Sequence, residues 1–281
     1  METERESGWQ RFWERGRWWR ALVAVVGYLV LYEAAGLGVG TVFRDQIDTK
    51  NIFSSAGSVF FTLGAGLLVG AVILLVFLAS VRWIRPVFSK QPIRGRWWMW
   101  IFVVLAVIPI FLRLAGIDYG SYGASVVITT LLVGLIIGFT EELLYRGIVV
   151  RILREAGHGE GSVAVISSAL FGLSHSLNAA GGQPILTVAL TVVFAFGFGM
   201  VMYMVMRATG NIIWPMIVHG LTDPTTFLSS GGVDTSTGAA HSALLDAAGP
   251  FNMIFVALGV IAIIVVRGRV TQVDPRRVNE A

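Results

Sequence analysis

Cysteine is absent from the 281 residues. That excludes a disulfide framework, a thiolate metal site and a cysteine nucleophile, and leaves histidine and carboxylate side chains as the strong candidate ligands. Charge is scarce as well: Asp, Glu, Lys and Arg make up 14% of the chain, where a soluble domain carries about a quarter. With 55% of its residues hydrophobic, such a chain does not dissolve as a globule. A continuous basic face is also missing. The net charge of +4 would suit a nucleic-acid partner, but the Lys and Arg residues gather in short groups beside apolar runs, which reads as membrane topology and excludes nucleic acid. No cleavable signal peptide is expected, because residues 1–20 are charged and Trp-rich and the run that follows leads to no small-residue cleavage site. No internal repeat stands out, which weighs against a transporter built of duplicated halves.

Apolar runs fill the rest of the chain, at about 21–43, 58–82, 97–117, 123–153, 162–179, 184–206, 211–229 and 250–267. Each is near the length that crosses roughly 30 Å of hydrocarbon as a helix. The expected fold is all-α, a polytopic membrane helix bundle of about eight transmembrane helices with the lipid bilayer as its solvent. The fourth run is long enough to bend or to project. Basic residues fall in alternate connections: the first twenty residues, then 82–96, then Arg151 and Arg154, then Arg207, then 267–277. The connections between them hold only Arg44, Lys50 and Arg113. This positive-inside asymmetry predicts a cytoplasmic N- and C-terminus and a multi-pass place in a bacterial-type inner (plasma) membrane. Trp18, Trp19, Trp97 and Trp98 stand beside the basic groups, where amphipathic rings anchor at the headgroup level. Residues 1–20 are read as an interfacial cytoplasmic segment, 21–267 as a single transmembrane domain and 268–281 as a cytoplasmic tail. Gly36, Gly38 and Gly40 imitate a phosphate-binding fingerprint but follow no strand. Close helix packing is the expectation for them, as for Gly134 with Gly138 and Gly197 with Gly199.

Lipid penalises ionisable side chains by several kcal/mol unless they are paired or face a cavity, so the polar residues inside these runs are the informative ones. The fourth run holds Glu141, Glu142 and Arg146, the fifth holds His175, and the seventh holds His219 and Asp223. Glu142 and Arg146 are four apart and share a helix face with the acid first, the better order for an ion pair. That pair reads as structural. Glu141 is turned about 100° from Glu142 and faces another neighbour, which makes it the carboxylate free for chemistry. His219 and Asp223 also project together, and Pro224 directly after them predicts a break or bend in the helix and a wet cavity. Taken singly, each feature has a plain structural reading: a Glu–Arg pair is often a helix clamp, and a histidine can simply bond a carbonyl. Tyr145, Ser174, Ser176 and Asn178 read as packing or supporting residues, and His158 and His241 as exposed loop residues.

The ordered set Glu141-Glu142-x-x-x-Arg146, Phe171-x-x-x-His175 and His219-x-x-x-Asp223 resembles the CAAX protease and bacteriocin-processing (CPBP, or Abi) family of intramembrane peptidases, over about residues 125–225. The third motif of that family ends in Asn or Asp, so Asp223 lies within its pattern. The resemblance implies hydrolysis of a peptide bond in a membrane-associated peptide or protein substrate by water activated within the membrane. It assigns Glu141 as general base and His175 as the group that binds or polarises the water. His219 and Asp223 would stabilise the oxyanion or orient a metal, and Arg146 would fix Glu142. Whether a metal takes part is open at this point. His175, His219 and Glu141 would offer three ligands with an open position for water, the arrangement of catalytic zinc. Two other functions compete: a non-catalytic membrane scaffold or immunity-type partner, and a proton-coupled transporter, because intramembrane Glu, Asp and His also build proton relays.

Overall fold

The structure, a computed structural model, describes residues 7–93, 95–233 and 242–270. Arg5, Arg94, His241, Arg276 and Arg277 lie outside the described residues, as does most of the expected tail. Among the described residues the secondary structure is entirely helical. The elements are α1 (Gly8–Glu14), α2 (Trp19–Val42), α3 (Ala56–Ser80), α4 (Trp97–Gly116), α5 (Ala124–Glu155), α6 (Glu160–Ser174), α7 (Ile185–Thr209), α8 (Ile213–Ser230) and α9 (Ala243–Val265). The eight apolar runs correspond to α2 through α9. Six of these helices, α2, α3, α4, α5, α7 and α9, are long and apolar enough to cross a membrane. The two others are α6, which His175 directly follows, and α8, which carries His219 and Asp223, whereas Glu141, Glu142 and Arg146 lie on the long helix α5. The chain is a polytopic membrane helix bundle. Its outer surface agrees: Leu37, Leu186 and Met253 are each more than 70% exposed, and apolar surface on this scale needs a lipid covering.

α8 packs along α5, and α7 packs between α6 and α9. Glycines set both contacts. A Cβ on Gly138 would lie 2.3 Å from the Met216 carbonyl oxygen, and one on Gly134 2.3 Å from Pro224 Cγ, so α5 and α8 touch backbone to backbone. Gly197 on α7 meets Gly259 and Val256 on α9 in the same way, each added Cβ falling 2.7 Å from a facing Cα. Without a hydrophobic drive between helices in lipid, such close approach is how they gain dispersion energy. Gly36, Gly38 and Gly40 are different, because a Cβ on any of them meets nothing within 4 Å. For Gly38 and Gly40 the packing expectation fails, because α2 is largely uncovered there and a residue facing open space does not need to be small; Gly36 does lie at a close crossing, since a Cβ on Gly66 of α3 would fall 3.4 Å from the Gly36 Cα.

Three local features depart from the sequence reading. α5 is a continuous helical run, but its winding loosens to π between Leu143 and Val149, and every residue of that turn is buried. A π-turn rotates the side chains that follow, and such turns recur at functional sites. Pro224 does not end α8, which runs on to Ser230. The hydroxyls of Thr222, Thr225 and Thr226 donate to carbonyls one turn back at 2.8 Å, and the helix stops only at Gly231, where φ is +72°. Finally, Arg154 and Arg207 are not solvated topology markers. Both are buried around Glu160 at the start of α6, Arg154 in two parallel bonds of 2.8 Å and Arg207 at 2.9 Å. The Tyr203 hydroxyl also donates to this carboxylate, and Arg154 reaches Gln91 at 2.7 Å. The network ties the ends of α5, α6 and α7 on the side of the basic connections. His158 sits in the adjoining turn and is half-buried rather than exposed.

Candidate active site

The three motif segments meet. Glu142, on the last α turn before the π segment, is fully buried and accepts a bond from Arg146 Nη1 at 3.1 Å. Arg146 Nη2 donates to the Gly199 carbonyl at 2.7 Å, and its guanidinium carbon stands 5.0 Å above the Phe171 ring. The same Glu142 Oε1 accepts from His219 Nδ1 at 2.9 Å. The ion pair read as a helix clamp is therefore also the support for an imidazole on another helix. The adjacent Glu141 points elsewhere, as a 100° turn per residue requires, and 26% of its side chain remains exposed.

His219 is the centre of the arrangement. Its Nε2 lies 3.5 Å from Glu141 Oε2 and 3.4 Å from Asp223 Oδ2, while its ring is wedged edge-on against Phe171 and Phe198 with centroids 5.7 and 5.0 Å away. The Glu142 bond and the two phenyl rings leave the imidazole a single orientation. With Nδ1–H committed to Glu142, a lone pair on Nε2 would face two carboxylates. A proton shared among these three groups removes that repulsion and makes the Nε2 edge a donor. His175 lies at the end of α6, where the chain tightens into a 3₁₀ turn, His175–Ala179. Its Nδ1 donates to the Phe171 carbonyl at 3.0 Å. That tautomer leaves Nε2 as an acceptor.

Glu141, His175, His219 and Asp223 line one cavity of about 330 Å³. Its wall also includes Tyr145, whose hydroxyl pairs with Ser174, and Asn178. It further includes Tyr28 and Tyr32 from α2, a helix without any motif. The reading of the sequence missed these tyrosines. Their signal was present, as two polar-tipped residues four apart on a mostly apolar run, which places both on one face of the helix. All six candidate residues thus gather at one place: Glu141, His175, His219 and Asp223 at the cavity wall, Glu142 and Arg146 behind it.

A divalent ion held by His175, His219 and Glu141 is a separate matter. Among the described residues no group of three or more His, Asp or Glu side chains has an arrangement that could hold a metal ion, although the His219 Nδ1 bond to Glu142 leaves its Nε2 edge facing the cavity.

Residues 123–225 match the family model described as type II CAAX prenyl endopeptidase Rce1-like. The matched stretch begins at α5 and ends two residues after Asp223, so it spans all three motifs, and it agrees with the resemblance to the CAAX protease family that those motifs carry. No curated protein and no solved structure matches the chain.

Proposed function

We propose that this chain is an intramembrane endopeptidase that hydrolyses a peptide bond of a membrane-associated substrate with a water activated by Glu141. The observation that carries the reading is the convergence on His219: one nitrogen anchored by the buried Glu142, the other facing Glu141 and Asp223 across a cavity inside a lipid-embedded bundle. Charged and polar groups at this depth are tolerated only where they face water or one another, and a water in this cavity has both a base and a donor at hand.

The proposed sequence follows from the hydrogen-bonding capacities. Water is held by the His175 Nε2 acceptor and the Glu141 carboxylate. Glu141 takes its proton as the oxygen attacks the carbonyl carbon. The carbonyl oxygen becomes an oxyanion and is met by the His219 Nε2–H edge, kept protonated by Asp223 and held in place through Glu142 and Arg146. Collapse of the tetrahedral intermediate breaks the C–N bond, and Glu141 returns its proton to the leaving amine. Such donors act strongly where, as at the buried His219, little water competes for them. The chemistry needs no group beyond these side chains. The basic residues of alternate connections support an orientation with the N- and C-terminal sides in the cytoplasm and the protein in a bacterial-type inner membrane, an orientation that has the Glu160 network on the cytoplasmic side.

The test is cleavage by the full-length protein in detergent or liposomes, using internally quenched peptides of random sequence. We expect cleavage by the wild type and none by Glu141→Gln. Equal cleavage by both would sink the proposal, and uptake driven by a proton gradient with no cleavage would favour transport instead.

A further inference from the structure

We infer that Tyr28 on α2 is a substrate-anchoring residue of this site, its hydroxyl donating a hydrogen bond to a main-chain carbonyl of the bound peptide. Tyr28 lies far outside the stretch 123–225, and no motif includes it. It is 7% exposed, and its hydroxyl is buried without a hydrogen-bond partner among the described residues. Burying a phenol in this way has a cost that a phenylalanine at the same position would avoid. The hydroxyl is therefore explained by a partner that arrives from the cavity.

The surroundings say what kind of partner. Tyr28 lines the cavity that holds Glu141 and His219, and its hydroxyl lies within electrostatic range of the Glu141 carboxylate and the Tyr145 hydroxyl. Tyr32 stacks beside it at 6.0 Å and 11°, so a small turn of the Tyr28 ring towards the cavity is what brings its hydroxyl to a bound peptide. On the far side α3 makes room with a glycine: a Cβ on Gly70 would fall 2.5 Å from the Tyr28 oxygen. A phenol held so is a ready donor, and an extended peptide crossing a cavity between α2 and the α5–α6–α8 motifs presents carbonyl acceptors on its edges. Of the α2 residues at the cavity wall, Tyr28 is the buried one.

The inference rests on the peptidase reading, and the experiment separates the two. A fluorescent peptide chosen because the wild type cleaves it and Glu141→Gln does not is titrated onto Glu141→Gln and onto Glu141→Gln/Tyr28→Phe. Binding about five- to tenfold weaker in the double variant is expected, with the thermal midpoint unchanged. In the cleaving background, Tyr28→Phe should raise KM by a similar factor and leave kcat within about twofold, and Gly70→Ala, which crowds the hydroxyl, should move KM the same way. Equal peptide affinity with and without the hydroxyl would overturn the inference while leaving the peptidase intact. A fall in kcat at constant KM would overturn it too, by placing Tyr28 in the chemical step. If no peptide is cleaved by the wild type and none binds Glu141→Gln, the peptidase reading falls and takes the anchor with it.

Discussion

Two glutamates adjacent in sequence should fail in opposite ways when each is made glutamine. Glu142 and Arg146 have side chains with no exposed surface, and Glu142 Oε1 carries both the Arg146 and the His219 bonds. Removing the carboxylate charge leaves a buried guanidinium with the Gly199 carbonyl and the Phe171 face as its remaining support. Breaking one side of a buried pair costs about 3–5 kcal/mol. The amide oxygen still accepts one bond, so the lower end applies. At about 2–4 °C per kcal/mol for a chain of this size, Glu142→Gln should lower the thermal midpoint by roughly 6–12 °C and reduce cleavage as His219 loses its anchor. Glu141 has a quarter of its side chain exposed and only a long contact to His219. Its change to glutamine should move the midpoint by no more than about 1–2 °C, while cleavage falls by at least about 10²-fold, the range of a lost general base. Differential scanning fluorimetry and the peptide assay on both variants give the comparison. Pairing Glu142→Gln with Arg146→Gln should recover part of the lost stability, because no charge is then left alone. A Glu142→Gln protein that melts with the wild type would refute the buried-anchor argument, and a Glu141→Gln protein that still cleaves would refute the assignment of the base.

Other consequences can be checked alongside. Gly138→Ala should prevent stable assembly or lower the melting point sharply, since its Cβ would fall 2.3 Å from the Met216 carbonyl oxygen, whereas Gly38→Ala should be neutral in the same melting assay. Glu160→Gln should destabilise by about 3–5 kcal/mol, because Arg154 and Arg207 share that buried carboxylate; an unchanged midpoint would mean that the network is dispensable. Treatment with a strong chelator should leave peptide cleavage intact, in keeping with a donor set that does not form a metal cluster; loss of activity restored by added zinc would contradict it.

Much of this was legible in the amino-acid order alone, because it depends on distances along one helix. Apolar runs report a bilayer-spanning helix locally, and i,i+4 spacing reports which side chains share a face, so the Glu142–Arg146 pair, the divergence of Glu141 and the pairing of His219 with Asp223 follow from the rise and twist of an α-helix. Of the break or bend read at Pro224, the break is absent: α8 runs on to Ser230, with threonine hydroxyls on either side of the proline bonding carbonyls one turn back.

What only the tertiary structure decided lies between helices. No period in the sequence relates Glu142 to His219, 77 residues away, or brings Tyr28 to a cavity whose other walls begin more than thirty residues later. Nor does it show that Arg154 and Arg207 are buried together on Glu160. These partnerships are set by which glycines allow which backbones to touch and by the packing that buries every residue of the π-turn Leu143–Val149. Both are properties of helices packed in three dimensions rather than of any one of them.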